Sequence, residues 1–233
     1  MIPTLAEGMG YSLAAVAVAR LAGALTPGGA VAAWAVGTLV FGLGGWALAG
    51  LLVAFFATSS ALTRWRAADK PHPEHRGGRT AGQVLANGAV ATALAVAHGL
   101  GGAAWVAAAF AGAVAAATAD TWASEVGLGS GARPRLITTG APAAPGQSGA
   151  VSLPGTCGGL AGAGLIAALA AWWVGAPWGW VWLAGVTGMV ADSVLGATVE
   201  GRRGLVGNNT VNLLATVVGA AVAGAAGGMR GAP

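Results

Sequence analysis

Long apolar runs with few charged residues restrict this chain more than any other feature of its sequence. A helix of about 20 apolar residues crosses the hydrocarbon core of a bilayer. Backbone polar groups inside a bilayer must bond within the protein, and uninterrupted apolar runs meet this requirement as helices. We therefore predict an all-α, polytopic transmembrane bundle of about 6–8 helices, with apolar segments at about 9–25, 30–43, 44–64, 80–98, 101–126, 155–174, 178–200 and 208–229.

The boundary between the second and third segments has two interpretations. The stretch GLGG at residues 42–45 is either a tight turn between two short helices or a flexible point in one long helix. With the turn, the helices alternate across the membrane and both termini lie outside. With one long helix, the N-terminus lies inside.

Composition supports a membrane protein. Charged residues make up 8% of the chain, against about 25% in soluble globular domains. The 42 glycines would let helices approach closely, and we expect a single integral membrane domain over residues 1–233. Cys157 is the only cysteine, which excludes a disulfide framework and a thiolate metal site within the chain. The N-terminal residues lack a basic stretch, so we expect no cleaved signal peptide.

The positive charges lie in loops beside the apolar segments. A net charge of +4 could indicate nucleic acid, but this placement follows the positive-inside rule, so we expect membrane lipids and no nucleic acid as partners. The rule places the loops at about 64–79, 127–154 and 201–207 in the cytoplasm. We expect a protein of the cell (inner) membrane whose site faces the cytoplasm. The basic residues of these loops are Arg64, Arg66, Lys70, Arg76, Arg79, Arg133, Arg135, Arg202 and Arg203.

Four of the seven acidic residues lie where apolar segments end. In the stretch AATADTWASEVG, Asp120 and Glu125 interrupt one segment, and Asp192 and Glu200 interrupt another. A charge at the centre of a membrane helix costs roughly 2.5–3.5 kcal/mol on insertion scales, and a helix C-terminus is the unfavourable end for an anion. These carboxylates therefore need a bound cation, protonation, or ion pairs with Arg79, Arg133, Arg202 or Arg203.

A divalent cation would satisfy this need. Hard oxygen ligands without a His or Cys cluster favour Mg²⁺, so we predict a magnesium site formed by Asp120, Glu125, Asp192 and Glu200. Magnesium in proteins is usually bound by one or two carboxylates plus substrate phosphates. The same residues therefore predict a phosphorylated ligand.

Polar, glycine-rich stretches open the three segments that begin on the same side. Helix N-termini offer free N–H groups and a positive dipole end, which suits phosphate. Close packing by glycine and hydrogen bonds between helices are the alternative roles. The phosphate-binding candidates at these starts are Arg79, Gln83, Asn87, Thr156, Asn208, Asn209 and Asn212. Thr121 and Ser193, which each follow an aspartate, are either hydroxyl groups of the metal site or bond back to their own helix.

The two acidic stretches also resemble each other. GAVAAATADTWASEVG (112–127) and GVTGMVADSVLGATVEG (185–201) both place Ala-Asp-Thr/Ser near the end of an apolar segment and finish with Glu. A weak internal repeat of this kind can mark two halves that meet at a central site.

The motifs QVLANG, ADTWASEVG, GTCGG, ADSVLGATVE and NNTVN resemble those of a known integral membrane family in order and spacing. That family includes the chloroplast phytyl-phosphate kinases of tocopherol synthesis and the animal transmembrane protein 19, and the chain is similar to it from about Gly37 to Asn212. The motifs are also similar to those of the CTP-using phytol and dolichol kinases. Carried over by motif, the site residues are Asp120, Thr121, Ser124 and Glu125 from the first acidic block and Asp192, Ser193 and Glu200 from the second. Many relatives have Gln at the position of Glu200, and Asn or Ser at that of Cys157, to which we assign no role.

The resemblance implies a prenyl-phosphate kinase. Such an enzyme transfers a phosphoryl group from a nucleoside triphosphate (CTP or ATP) to a prenyl monophosphate (phytyl or geranylgeranyl), giving the diphosphate. Phosphoryl transfer mainly requires positioning and neutralisation of charge. Magnesium on Asp120, Glu125 and Asp192 would then be catalytic. The chain length of the prenyl group, the nucleotide and the oligomeric state stay open.

A cation-coupled transporter that uses Asp120, Glu125 and Asp192 is the main alternative, because broken helices and intramembrane carboxylates also occur in carriers. Carriers usually place such residues near the bilayer midplane, whereas these lie near one face. A phosphotransferase for CDP-linked lipids is a further alternative, but its D-G-x-x-A-R run is absent from the sequence. A scaffold role leaves the carboxylates unexplained.

Overall fold

The apolar segments form α-helices in the computed structural model, which describes residues 4–65, 78–103, 105–200 and 206–230. Within these residues the chain is largely helical with little strand, which confirms the predicted all-α membrane bundle. In this part of the chain the helices are α1 (Leu5–Leu21), α2 (Pro27–Leu39), α3 (Gly45–Arg64), α4 (Ala81–Gly99), α5 (Trp105–Gly129), α6 (Leu153–Val174), α7 (Trp178–Thr198) and α8 (Asn208–Arg230).

Five helical stretches of the described residues are long and apolar enough to cross a membrane. They are Trp105–Gly129, Leu153–Val174, Trp178–Thr198, Asn208–Met229 and the stretch Pro27–Arg64, which contains both α2 and α3. Large apolar side chains are exposed on the outside of the bundle, as expected where a helix faces lipid rather than water; examples are Leu13, Val18, Leu21 and Trp172.

Helix α1 begins earlier than predicted because its start carries a capping box. The side chain of Thr4 accepts from the Glu7 N–H, and Glu7 Oε2 accepts from the Thr4 N–H at 2.7 Å. The pattern T-x-x-E predicts this reciprocal cap, so the signal is present in the sequence. The helix also ends earlier than predicted, because Gly23 adopts a φ of 71° and Leu25 pairs with Arg79 in a parallel bridge.

The chain reverses direction at Gly45, so the GLGG stretch is a turn between two helices. Residues Val40–Gly44 form a π-helical turn, and Gly45 has a φ of 74°, which glycine adopts without a steric penalty. Away from this turn, the guanidinium of Arg64 at the end of α3 donates to the carbonyl of Ala22, just before the start of α2. Helices α2 and α3 therefore run in opposite directions.

Helix α5 is the centre of the bundle and packs against α3, α4, α6, α7 and α8. All its residues from Val106 to Ala119 are buried, and most of them are alanine. Gly112 meets Gly219 of α8 so closely that a Cβ on Gly112 would overlap the Gly219 carbonyl. Small residues thus let neighbouring backbones surround α5 on several sides.

Polar helix termini collect at one end of the bundle. Gly155 at the start of α6 packs against Ala123 near the end of α5, and Gly82 at the start of α4 packs against Asn209 at the start of α8. We refer to the ends of α3, α5 and α7 and the starts of α4, α6 and α8 as the polar end. The sequence predicts that these termini share one side, and the packing agrees.

A small hairpin covers the end of α7 at the polar end. Strands β1 (Arg135–Leu136) and β2 (Ala150–Val151) pair antiparallel within the predicted 127–154 loop. Next to β2, Gly149 has a φ of 76° and packs on Ala197, whose backbone nitrogen would lie 2.6 Å from a Cβ at that position. Strands of two residues are too short to leave an alternating pattern in the sequence, which is why this hairpin was not predicted.

Several predicted basic positions cannot be located. Arg66, Lys70 and Arg76 of the first loop, and Arg202 and Arg203 of the last loop, lie outside the described residues. Arg133 and Arg135 are exposed on the segment that contains the hairpin, and the Arg135 guanidinium donates to the carbonyl of Gly140.

Trp178, Trp180 and Trp182 lie at the start of α7, at the end of the bundle opposite the polar end. Trp178 stacks on Trp182 with ring centroids 6.0 Å apart. A surface depression of about 510 Å³ lies beside them, lined by Pro177, Trp180 and Leu183. It shares no residue with the predicted site.

Candidate functional site

Asp120 of α5 and Asp192 of α7 face each other at the polar end. Their register is set one helical turn away, where Gly188 of α7 packs against Ala116 of α5 with no room for a Cβ. Residues four apart lie on the same face of a helix, so this contact directs Asp120 towards Asp192. The two carboxyl groups come within hydrogen-bonding distance of each other. The structure therefore brings together two of the four predicted carboxylates.

Asn212 joins α8 to this pair. With the side-chain amide oriented to satisfy both neighbours, Asn212 Nδ2 donates to Asp192 Oδ2 at 2.8 Å and to the carbonyl of Asn208 at 3.2 Å. An amide donor stabilises a carboxylate and fixes its orientation. Asn212, which the sequence predicts as a phosphate ligand, therefore also holds Asp192 in place.

Glu200 completes the acidic group from beyond the end of α7. Its Oε2 lies over Gly196, 3.4 Å from where a Cβ would stand. It is close enough to act electrostatically on both Asp120 and Asp192. We call Asp120, Asp192, Asn212 and Glu200 the acidic cluster.

Glu125 does not belong to the acidic cluster. Five residues along an α-helix correspond to a rotation of about 140° from Asp120, so Glu125 points to another side of α5. It is buried there, and Thr63 Oγ1 of α3 donates to Glu125 Oε1 at 2.6 Å. The predicted set of four carboxylates is thus divided. The acidic repeat is matched in part, since its two aspartates meet while its two glutamates lie in different surroundings.

Arg79 lies with Glu125 rather than with the aspartates. Its guanidinium carbon is 4.9 Å from the ring centre of Phe55 and 5.3 Å from that of Phe56, which is the geometry of a cation–π contact. Its charge interacts with that of Glu125. The structure therefore gives Arg79 a protein partner where the sequence predicted phosphate.

Gln83 and Asn87 take part in the first turns of α4. Gln83 Oε1 accepts from the Thr80 N–H at 2.9 Å, and Thr80 Oγ1 accepts from the Gln83 N–H, forming a capping box. Asn87 Nδ2 donates to the Gln83 carbonyl at 3.0 Å. The structure thus assigns these two predicted phosphate ligands a helical role.

Asn208 and Asn209 open α8 and are exposed. The Asn209 amide nitrogen lies against Gly82 of α4, 2.6 Å from where a Cβ would stand. Because Asn209 lies against Gly82 and Asn212 donates to Asp192, the first turn of α8 lies beside the start of α4 and the acidic cluster.

The hydroxyl candidates are distributed around the same end. Ser124 is exposed, and Thr121, Ser193 and Thr156 are half-buried. Thr118 bonds back to Val114 at 2.7 Å, but among the described residues no such bond is formed by Thr121 or Ser193. Of the two roles predicted for these two hydroxyls, back-bonding to their own helix is therefore not observed.

The acidic cluster contains oxygen donors for a metal ion. Within the described residues no group of three or more His, Cys, Asp and Glu side chains is arranged to hold a metal ion. The carboxylates of Asp120 and Asp192 adjoin each other, and Glu200 is close enough to interact electrostatically with both. Such a donor set fits Mg²⁺ that takes its other oxygens from water and substrate phosphates.

Several residues of this end were not predicted. They are Thr63, whose hydroxyl donates to Glu125, Gly188, whose packing on Ala116 aligns α7 with α5, and Gly82, which packs against Asn209. The positions of Gly188 and Ala116, four residues before Asp192 and Asp120, are a signal that the sequence does contain. Thr63 has no such signal, because its partner lies 62 residues away.

The chain is similar to known membrane proteins. Residues 10–220 match the model of a family described as "Integral membrane protein DUF92". "Uncharacterized membrane protein sll0875" of Synechocystis sp. is 34% identical over 223 residues, which cover 91% of this chain and 85% of that protein. "Uncharacterized membrane protein MJ0933" of Methanocaldococcus jannaschii is 34% identical over 152 residues, which cover 60% of this chain and 59% of that protein. No solved structure matches the chain significantly.

Proposed function

The chain belongs to the family of integral membrane proteins described as DUF92, and we propose that it is a membrane-embedded lipid kinase. The reaction is transfer of a phosphoryl group from a nucleoside triphosphate to a prenyl monophosphate, giving the diphosphate. The resemblance of the motifs around Asp120 and Asp192 to those of phytyl-phosphate kinases supports this reaction. The observation that carries the proposal is the contact between these two aspartates at the polar end.

Two adjoining carboxylates beside helix N-termini suit a phosphorylated ligand with its cation. Asp120 and Asp192 would hold Mg²⁺, with Glu200 adding negative charge nearby. When bound, Mg²⁺ would neutralise charge on the triphosphate oxygens. Asn212 keeps Asp192 in one orientation through its 2.8 Å hydrogen bond.

The remaining polar groups of this end would bind phosphate. The first backbone N–H groups of α8 carry the positive end of the helix dipole. The half-buried hydroxyls of Thr121 and Ser193 lie next to the two aspartates in sequence. A phosphate acceptor is already ionised at neutral pH, so these residues need to orient it rather than remove a proton. The prenyl chain would lie between helices in the bilayer.

The proposal includes an orientation. Arg64 at the end of α3 and Arg79 before the start of α4 lie at the polar end, and the positive-inside rule places loops with such residues in the cytoplasm. A water-soluble nucleotide would reach the acidic cluster from that side, while the lipid substrate would approach within the membrane.

The test is transfer of γ-labelled phosphate by the purified, detergent-solubilised protein. The assay contains Mg²⁺, CTP or ATP, and phytyl or geranylgeranyl monophosphate, with and without EDTA. A labelled prenyl diphosphate that disappears with EDTA is the expected result. Absence of product with every combination, from protein that elutes as one sharp species in gel filtration, would contradict the kinase; cation-driven uptake into vesicles would then be measured.

A further inference from the structure

Glu125 lies in a second polar group on another side of α5. The group consists of Thr63, Arg79 and Glu125, and we call it the Glu125 group. Glu125 is 6% exposed, and Thr63 Oγ1, which lies 3.0 Å from the Ser59 carbonyl oxygen, donates to Glu125 Oε1 at 2.6 Å. The end of α3 is thereby fixed to α5.

Arg79 connects this group to two further helices. Its backbone N–H donates to Ala24 at 2.8 Å and its carbonyl accepts from Thr26 at 3.1 Å, which ties it to the start of α2. Its guanidinium lies over Phe55 of α3. The next residue, Thr80, is the N-cap of α4, so the position of Arg79 sets where α4 begins.

The charges of the group are complementary. Burial lowers the pKa of Arg79 to about 10, and the carboxylate of Glu125 opposes this change. Arg79 is therefore still cationic near neutral pH. Removal of one partner destabilises the folded protein strongly, because the other charge stays buried without compensation.

The start of α4 is connected to the acidic cluster through α8. Gly82, in its first turn, receives the Asn209 amide of α8, and Asn212, on the next turn of α8, donates to Asp192. An uninterrupted series of contacts thus leads from the Glu125 group through α4 and α8 to the aspartates.

We propose that Glu125 is a positioning residue and not a cation ligand: with Thr63 and Arg79 it fixes α3 and the start of α4 against α5, and so sets the geometry of the acidic cluster. That the acidic cluster binds a cation rests on the proposed function. The division of roles rests on the different sides of α5 that Asp120 and Glu125 occupy and on their different partners.

The first experiment measures binding of Mn²⁺, as a paramagnetic probe, to the purified protein by electron paramagnetic resonance. Asp192→Asn is expected to weaken binding by more than about 100-fold, and Glu125→Gln by about 10–100-fold, the range for residues beyond the metal ligands. Glu125→Gln is also expected to change the line shape of bound Mn²⁺, which reports the ligand geometry. Loss of binding equal to that of Asp192→Asn would show that Glu125 is a ligand. An unchanged line shape would show that Glu125 does not position the cluster.

The second experiment tests the Glu125 group without any cation. Thermal unfolding midpoints are measured for Arg79→Gln, Glu125→Gln and the double variant, with exposed Arg20→Gln as the control. Each single variant leaves one charge without its partner, so the double variant should lose clearly less than the sum of the single losses. Additive losses would overturn the proposal. If the wild-type protein binds no Mn²⁺, the cation site of the proposed function fails while this cycle still decides whether the Glu125 group is coupled.

Discussion

The side-chain amide of Asn212 donates a hydrogen bond of 2.8 Å to the carboxylate of Asp192. This bond joins the start of α8 to the end of α7, beside the point where Asp192 meets Asp120 of α5. Three helices that are separate in sequence therefore meet through three polar side chains in a chain with few charges. Variants of these three residues, and of the glycines packed around them, should therefore change both the fold and the site.

Replacement of Asn212 by leucine removes the donor at similar volume. A hydrogen bond to a charged group contributes about 1.5–3 kcal/mol, so Asn212→Leu should lower the free energy of unfolding by about that amount and weaken Mn²⁺ binding. Thermal unfolding and Mn²⁺ titration are the measurements. Val217→Ala, an exposed position on the same helix, is the control, and equal effects of the two changes would contradict a specific role for the amide.

Neutralisation of the aspartates should remove activity. Asp120→Asn and Asp192→Asn are expected to lower Mg²⁺-dependent turnover by more than about 100-fold, whereas Glu200→Gln should lower it by about tenfold, the lower end of the range for residues that act from beyond the ligands. Glu7→Gln, in the exposed cap of α1, should leave turnover unchanged. Wild-type turnover in either Asn variant, measured by diphosphate formation, would exclude the aspartate pair as the site.

Gly82→Ala tests the contact between α4 and α8. The added Cβ would lie 2.6 Å from the Asn209 amide nitrogen, so the amide must move and the start of α8 with it. We expect a several-fold loss of turnover with a folded protein. The matched control is Gly28→Ala, where the added Cβ would meet Ala81 at an ordinary 3.8 Å; a loss as large in the control would show a general effect of glycine removal.

Gly149→Ala should release the hairpin from α7. Its φ of 76° and its packing on Ala197 both exclude a side chain. Limited proteolysis should then cleave residues 130–152 faster than in the wild type. Gly140→Ala shares a positive φ of 69° but has no atom within 4 Å of its added Cβ, so it isolates the backbone effect; equal cleavage of both variants would mean that the packing on α7 contributes nothing.

The sequence is a good guide to the helices because apolar runs of membrane length have few alternative structures. The starts of α7 and α8 agree with the predicted segments, and α3 ends at the predicted Arg64. The error at α1 arises from an overlooked local signal, the capping box of Thr4 and Glu7. The turn at Gly45 required the structure, because a positive φ is one of several conformations that glycine adopts.

The site was predictable where helical periodicity applies. The spacing of five residues between Asp120 and Glu125 already places them about 140° apart, and this excludes one shared ligand face on α5. The partners of Glu125 were not predictable, since Thr63 and Arg79 reach it from segments far away in sequence. Packing between helices, which decides such contacts, leaves no regular pattern in a chain rich in alanine and glycine.

The reversal at Gly45 determines whether the two ends of the chain lie on the same side of the bundle. Leu5 lies against Gly42 beside this turn, and Gly227 near the end of α8 packs on Trp105 at the start of α5. Both the beginning and the end of the described bundle therefore lie opposite the polar end. Reporter domains fused to the two termini should occupy the same compartment, and neither fusion would obstruct the face through which a nucleotide reaches the aspartates.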